Sequence, residues 1–436
     1  AEVVFVEHHT AHAASAFYGS GFERALVITL DGSGDGLSGS YWEGEGLRMV
    51  RKGRISAYNS LGEFYTRITE YLGMKPLSHE YKVMGLAPYV RPDNRIARRI
   101  YERIRPLFRV EGDRILNESG VYKADYLRIF SRLLFKVRFD IVAYAAQRLL
   151  EDVVMEWVDN IRSGHENVAA AGGVFMNVKM NYHLLERFSG VFVMPSSGDE
   201  SLAYGAAAYV SAEAGIRPHP IGTLYLGREF TDGEIEEALE ELDGREFSVE
   251  RVGEDIHEYV GDLLADGLVV ARFFGRSEWG ARALGNRSIL ADPRNLGVVQ
   301  RINRMIKKRD FWMPFAPSVL AEDFTRYFSA PIRSKSERYM ILAYPTTEEG
   351  RASLPAALHQ SDATGRPQVV FREDNPHYHR LISRFKERTG VGAVLNTSFN
   401  LHGYPIVYTP RQAIFTLRES DLDALAIGGY LVRRKR

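Results

Sequence analysis

"VEHHTAHAASAF", residues 6–17, places His8, His9 and His12 within five positions. His8 and His12 are four apart, so a helix here sets both imidazoles on one face, within reach of a single cation. His9 falls on another face and reads as a neighbour. Two imidazoles by themselves also suit a core or surface pair, and a third ligand is what raises the metal reading. "SSGDES" supplies a candidate in Asp199, in a glycine loop ahead of a helical stretch. The apolar "VVFV" at 3–6 reads as a short buried strand leading into the histidine helix.

Outward from that helix, "RALVITLDGSGDGLSGSYWEG" has two strand-like runs around a turn dense in Gly and Asp, followed by a basic third strand, "LRMVRKGRI". Residues 60–160 are mostly helical by period, including "DIVAYAAQRLLEDVVMEWVDNI". "NVAAAGGVFMN" is a buried strand running into a glycine pair, and "GVFVMPSSGDESLAYGAAAYVSAEAG" reads as strand, loop and helix. "AGIRPHPIGTLYLG" has the Pro and Gly density of a linker, which sets a boundary near residue 218 and domains at 1–218 and 219–436. Beyond it, helical patterns at 232–243 and 254–266 alternate with strands at "GLVVARFF", "VGAVLN" and "LDALAIGGYLVRR". Both halves are therefore α/β, and no repeat at solenoid periods is present.

With 436 residues, 45% hydrophobic and 26% charged, the chain has the composition of a soluble protein of two or three domains. Lys+Arg and Asp+Glu balance at 56 each, so no global field draws it to nucleic acid or an anionic membrane. No apolar run approaches the roughly 18 residues of a membrane span, and no signal peptide is visible. The expected location is cytoplasmic. There is no cysteine, which excludes thiolate nucleophiles, disulfides and Cys-ligated zinc.

"LDGSGDG" sets Asp31, Gly32, Ser33, Gly34 and Asp35 in a tight turn. Backbone amides there can approach a phosphate while the aspartates hold Mg²⁺, although a plain hairpin turn has the same composition. Gly172 and Gly173 of "AAGGVFMN" leave room for a base or ribose, or simply for a strand-to-helix turn. The second half carries a local basic cluster: Arg276, Arg282 and Arg287 in "GRSEWGARALGNRS", then Lys307 and Arg309 in "IKKRDFWMPFAPS". "LNTSFNLHG" adds Asn396, Ser398 and Asn400 in a loop after an apolar strand. Such donors suit a nucleotide phosphate or carbamoyl phosphate, and the Gly, Trp and Pro around them favour an ordered pocket over a solvated face.

"HHTAHAASAF", "SLGEFYTRITEYLG", "EYKVMGLAPY", "AAGGVFMN", "GRSEWGARALGNRSILADPRN", "MPFAPSVL" and "NTSFNLHGYPIV" together resemble, in order, carbamoyltransferases of the NodU/CmcH type. The resemblance covers nearly the whole chain. It implies an actin/Hsp70-like (ASKHA, ribonuclease H-like) first domain, followed by a YrdC-like α/β domain that forms carbamoyl-adenylate. Family members use ATP and carbamoyl phosphate, release pyrophosphate, and pass the carbamoyl group to an alcohol. Carried over, His8, His12 and Asp199 match the ligands of Fe(II) or another divalent metal. Asp31, Gly32, Ser33, Gly34 and Asp35 match the hairpin at the phosphates of Mg-ATP, Gly172, Gly173 and Asn177 the adenosine loop, and Lys82 a phosphate contact. Lys307 and Arg309 match a Lys-x-Arg pair and Ser398 and Asn400 a Ser-x-Asn pair, with Arg276 and Arg282 as further phosphate contacts.

Relatives carry a leading segment ahead of these motifs, so the first domain is expected to be N-terminally incomplete, with a partner chain covering the exposed edge. The acceptor is expected to be a small hydroxylated molecule, with no nucleic acid and no membrane, and homo-oligomerisation stays open. Two other readings compete. One is a nucleotide-binding subunit that is inactive without the missing part. The other is a tRNA threonylcarbamoylation-type transferase, disfavoured by the neutral charge and the second domain.

Overall fold

A computed structural model describes residues 3–307, 310 and 312–435. The chain forms two compact units, Ala1–Gly222 with Arg333–Ser336 and Thr223–Ile332 with Glu337–Arg436. Among the described residues no helix is long and apolar enough to cross a membrane.

The first unit runs α1 (His8–Ser20), β1 (Arg24–Gly34), β2 (Leu37–Glu45), β3 (Arg48–Ser56), α2 (Leu61–Tyr71), α3 (Glu80–Leu86) and α4 (Arg95–Ile104). A small hairpin, β4 (Phe108–Glu111) and β5 (Arg114–Asn117), interrupts the stretch read as helical. Then follow α5 (Tyr126–Leu133), α6 (Phe139–Ile161), β6 (Asn167–Ala171), α7 (Val178–Tyr182), β7 (Gly190–Val193) and α8 (Leu202–Glu213). The main sheet has the order β3-β2-β1-β6-β7, with β1, β2 and β3 antiparallel and β6 and β7 parallel to β1. Ala25 to Leu30 of β1 are all buried, because α1 and α2 both pack on this strand. A central strand covered in this way carries an apolar run instead of an alternation.

α1 starts where Glu7 accepts hydrogen bonds from the amides of His9 and Thr10, and it ends at Gly21, whose φ of 71° is a left-handed cap. Glu7 is itself held by Arg51 of β3, whose guanidinium lies 4.3 Å over the Trp42 ring. Burial alone would raise the Glu7 carboxyl, but the Thr10 hydroxyl and Arg51 outweigh it and hold the pKa down. This cap overturns the reading of "VVFV" as a buried strand. Residues 3–7 form no strand, and Val3, Val4 and Phe5 are exposed, Phe5 by 94%. Both edges of β1, the strand on which α1 packs, are already taken by β2 and β6, so the segment does not pair with it.

The second unit contains α9 (Asp232–Leu239), β8 (Phe247–Arg251), α10 (Ile256–Ala265), β9 (Val270–Phe273), β10 (Arg287–Ala291) and α11 (Gly297–Ile302), the last running into a π-helical turn at Asn303–Lys307. After these come β11 (Ala316–Leu320), α12 (Phe324–Tyr327), α13 (Glu348–Ser353), β12 (Gln368–Val370), α14 (Pro376–Thr389), β13 (Ala393–Ser398), α15 (Pro410–Arg418), β14 (Ala424–Ile427) and β15 (Tyr430–Arg434). Its sheet has the order β12-β11-β13-β10-β9-β14-β15-β8 and is mixed. Phe273, Ile289, Leu395 and Leu425 from the sheet pack with Ile235 of α9 and Ile414 of α15 in one core.

The chain returns once to the first unit. The Ser336 hydroxyl donates to the Val193 carbonyl at 3.1 Å and accepts from the Val193 amide at 2.8 Å, and the Ser334 hydroxyl bonds the Val191 carbonyl. Two serine side chains thus serve as a short mock strand on the edge of β7. Nothing in the sequence reading, which assigned 219–436 to one domain, marks this return.

α1 and α8 touch backbone to backbone: a Cβ built on Gly205 would lie 1.9 Å from the Ala11 carbonyl oxygen. Gly205→Ala is therefore expected to push the helices apart and cost about 1–3 kcal/mol. The cost should appear as a lower urea midpoint, and an unchanged midpoint would refute the close packing.

Candidate metal centre and basic cluster

The four ligand atoms that His8, His12, Asp31 and Asp199 can offer lie within 4.8 Å of one another. α1 brings the two histidines, the end of β1 brings Asp31, and the single turn before α8 brings Asp199. Nε2 of His8 is 3.0 Å from Oδ2 of Asp31 and 3.8 Å from Oδ1 of Asp199. Nε2 of His12 is 3.8 Å from the same Asp31 oxygen and 3.5 Å from the same Asp199 oxygen. The spacing of four in the sequence thus becomes a pair of converging nitrogens.

Asp31 is the hinge of this arrangement. Its Oδ1 accepts the Gly173 amide at 2.9 Å while Oδ2 turns to the imidazoles. Burial works to raise its carboxyl, but the two histidines beside it outweigh that and hold it far below the usual carboxylate range. The hydrogen bond that His8 makes to the Asp31 carboxylate raises the pKa of His8 against the effect of burial. His12 is wholly buried, and among the described residues its Nε2 has no hydrogen-bond partner. A buried imidazole nitrogen left bare beside two carboxylates is costly unless a cation completes it. Two imidazoles and two carboxylates are a donor set that suits a divalent transition metal. These four residues fit such an ion.

The loops around the cluster are shaped to admit it. A Cβ on Gly34 would lie 2.2 Å from the His8 ring, and one on Gly172, whose φ is 104°, would lie 2.2 Å from the Leu30 carbonyl oxygen. Asp35 accepts the His8 amide at 2.9 Å, and Ser60 donates to the Gly32 carbonyl at 2.6 Å. Ser33 is exposed and a Cβ on Gly32 would meet nothing within 4 Å, so the outer part of the turn faces open space. Gly173 is tied to the cluster through Asp31, whereas Asn177 is spent on structure. It caps α7 at the Met180 amide and exchanges two hydrogen bonds with Gln147 of α6. Lys82 stands on α3, which packs on α6. His9 is outside the cluster; its Nδ1 pairs with the Thr29 hydroxyl at 2.9 Å. The sequence reading placed Asp31 with the phosphate turn and did not join it to the histidines. A strand-end Asp followed by Gly was the available signal.

In the second unit the polar residues divide into two kinds. Arg287 is not a phosphate contact: it is fully buried, its guanidinium donates to the carbonyls of Phe274, Asn286 and Gly275, and it lies 3.7 Å over the Phe273 ring. Asn396 is likewise inside the sheet, not in a loop, and donates to Ser318 at 2.9 Å. Ser398 ends β13, with its hydroxyl 2.7 Å from Oδ1 of Asn400, so the Ser-x-Asn pair is one hydrogen-bonded unit. Arg276 donates to the carbonyls of Leu226 and Gly227, and Arg282 is half-buried four residues before Asn286. Arg309 lies outside the described residues. Lys307 closes the π-helical turn, and its side chain also lies outside them. Sequence reasoning missed Glu278. One of its oxygens accepts the amides of Leu284 and Asn286 at 2.8 Å and of Arg287 at 3.2 Å, which pins the loop carrying Arg282.

Comparison of the amino-acid sequence with known proteins matches it to a family. Residues 1–208 match the carbamoyltransferase N-terminus and residues 261–434 the carbamoyltransferase C-terminus. The chain belongs to the carbamoyltransferase family. The nodulation protein NolO of Bradyrhizobium diazoefficiens is 38% identical to this carbamoyltransferase, over 99% of this chain and 79% of its own length. Protein MJ1058 of Methanocaldococcus jannaschii is 36% identical, over 100% of this chain and 74% of its own length. The 3'-hydroxymethylcephem-O-carbamoyltransferase of Amycolatopsis lactamdurans is 31% identical, over 61% of this chain and 48% of its own.

Removing one ligand should leave the others unable to hold an ion. His12→Ala and Asp31→Asn are each expected to weaken divalent-cation binding at least about tenfold, read by elemental analysis after dialysis and by titration calorimetry. Gly34→Ala, which touches only the position of His8, should weaken it in the same direction. Cation content equal to that of the parent in all three would refute the site.

Proposed function

We propose that this protein is an O-carbamoyltransferase that forms carbamoyl-adenylate from ATP and carbamoyl phosphate and transfers the carbamoyl group to a hydroxyl of a small molecule. The observation that carries the reading is the presence of both carbamoyltransferase segments, in order, in one chain. The sheet order supports an actin-like first unit: three antiparallel strands followed by two parallel ones is the ribonuclease H-like pattern. The reading of the second unit as YrdC-like rests on its basic loop and Ser-x-Asn pair.

In this reading Arg282, Lys307, Arg309, Ser398 and Asn400 bind the triphosphate. They spread its charge while a carbamate oxygen, released with inorganic phosphate when water hydrolyses carbamoyl phosphate, attacks the α-phosphorus and pyrophosphate leaves; transfer of the carbamoyl group to the acceptor hydroxyl then releases AMP. Glu278 holds the loop that presents Arg282, and Arg276 braces it against Leu226 and Gly227. In the first unit the turn at Gly32 and Ser33 offers backbone amides to the adenylate phosphate, and Gly172 and Gly173 leave room for its sugar. His8, His12, Asp31 and Asp199 would hold Fe(II) or another divalent cation, which when bound supplies positive charge at a phosphate oxygen and polarises a carbonyl or hydroxyl. The names of the cephem-modifying relatives support a hydroxyl acceptor.

Pyrophosphate–ATP exchange that requires carbamoyl phosphate is the expected signature of the adenylating half. Arg282→Ala should lower that exchange by roughly 100-fold or more, whereas His8→Ala with His12→Ala should leave it intact. Exchange that ignores carbamoyl phosphate, or that survives Arg282→Ala unchanged, would overturn the assignment.

A further inference from the structure

The second unit contains a cavity of about 400 Å³ where β9 and β14, which run parallel, both end. Arg276, Arg282, Ser398 and Asn400 do not line it, so it is separate from the basic cluster. Its size is that of a small-molecule pocket. The lining has an acidic side: Glu229, Asp232 and Glu254 are all exposed, and none of them makes an ion pair among the described residues. The one basic side chain in the lining, Arg251, has its guanidinium 5.8 Å over the Tyr430 ring. Arg272 lies deeper, beside His257, so on the exposed side of the lining the three carboxylates outnumber the one guanidinium and favour a cation there.

His257 is the second, independent observation. It is 2% exposed and lines the cavity, yet among the described residues neither ring nitrogen has a hydrogen bond. Its ring is fixed between Phe274, at 4.5 Å edge-on, and His377, at 4.6 Å. Burial, with Arg272 and His377 nearby, pushes its pKa down to about 2, so the imidazole is neutral. A neutral imidazole has one N–H and one lone pair, which match the acceptor and the donor of a hydroxyl group.

We propose that this cavity binds a small hydroxylated organic cation, whose charge faces Glu229, Asp232 and Glu254 and whose hydroxyl pairs with His257. The site is independent of the catalytic reading and would stand if that reading failed.

Titration calorimetry of the full chain tests this with three probes: choline, its uncharged isostere 3,3-dimethylbutan-1-ol, and inorganic phosphate. Choline should bind saturably and at least tenfold more tightly than the alcohol, and phosphate should not displace it. Glu229→Gln with Glu254→Gln, both exposed positions, should weaken choline at least fivefold without shifting the melting temperature. His257→Asn should weaken choline and the alcohol alike. If that variant does not fold, the carboxylate pair carries the test. No saturable choline binding, equal affinity for choline and the alcohol, displacement by phosphate, or choline affinity unchanged in the carboxylate variant would each overturn the proposal.

Discussion

The first unit is organised around one carboxylate. Asp31 takes the Gly173 amide on one oxygen and faces His8 and His12 with the other. It therefore joins the end of β1, the turn after β6 and the face of α1. A neutral side chain in its place would keep the shape but not the charge that holds His8 in its orientation. The imidazoles in return keep the carboxylate ionised in a place where burial would favour the protonated form. Each group is stable there because of the others. A cluster of this kind stays cohesive without its ion and still leaves a nitrogen of His12 bare for one.

Small residues make that geometry reachable. Ala11 lies against Gly205, and the close approach of α1 to α8 sets His12 beside the turn that carries Asp199. Larger side chains along either helix would hold the backbones apart and carry Asp199 out of reach. In the second unit the corresponding device is Glu278, which gathers three amides on one oxygen, while Arg287 fills the opposite role by satisfying three carbonyls from inside the core. Both fix a glycine-rich loop that has no regular structure of its own.

What the sequence made legible was local. The spacing of His8 and His12, the three-strand meander and each motif taken singly all rest on neighbours within a few positions. Long-range pairings were not legible. Asp31 looks like part of a phosphate turn because its glycines are adjacent in sequence, whereas its tie to Gly173 spans the whole helical region between them. "VVFV" has the composition of a strand, but a strand exists only where an edge is free to receive it, and β2 and β6 leave none on β1. Arg287 and Arg282 share one motif, yet Arg287 is fully buried among carbonyls and Arg282 is only half-buried. Charge pattern alone does not separate these cases, because the difference lies in which carbonyls the loop turns toward them.

The return of Arg333–Ser336 to the edge of β7 bears on how the protein is made. The first unit emerges from the ribosome with its sheet edge bare, and the residues that cover it are synthesised only after a large part of the second unit. At 5–20 residues per second this is a delay of seconds, long compared with the closure of local structure. During that interval the backbone groups of β7 are open to any passing strand. The edge of β7 is thus the last part of the first unit to gain its hydrogen-bond partners, which Ser334 and Ser336 supply.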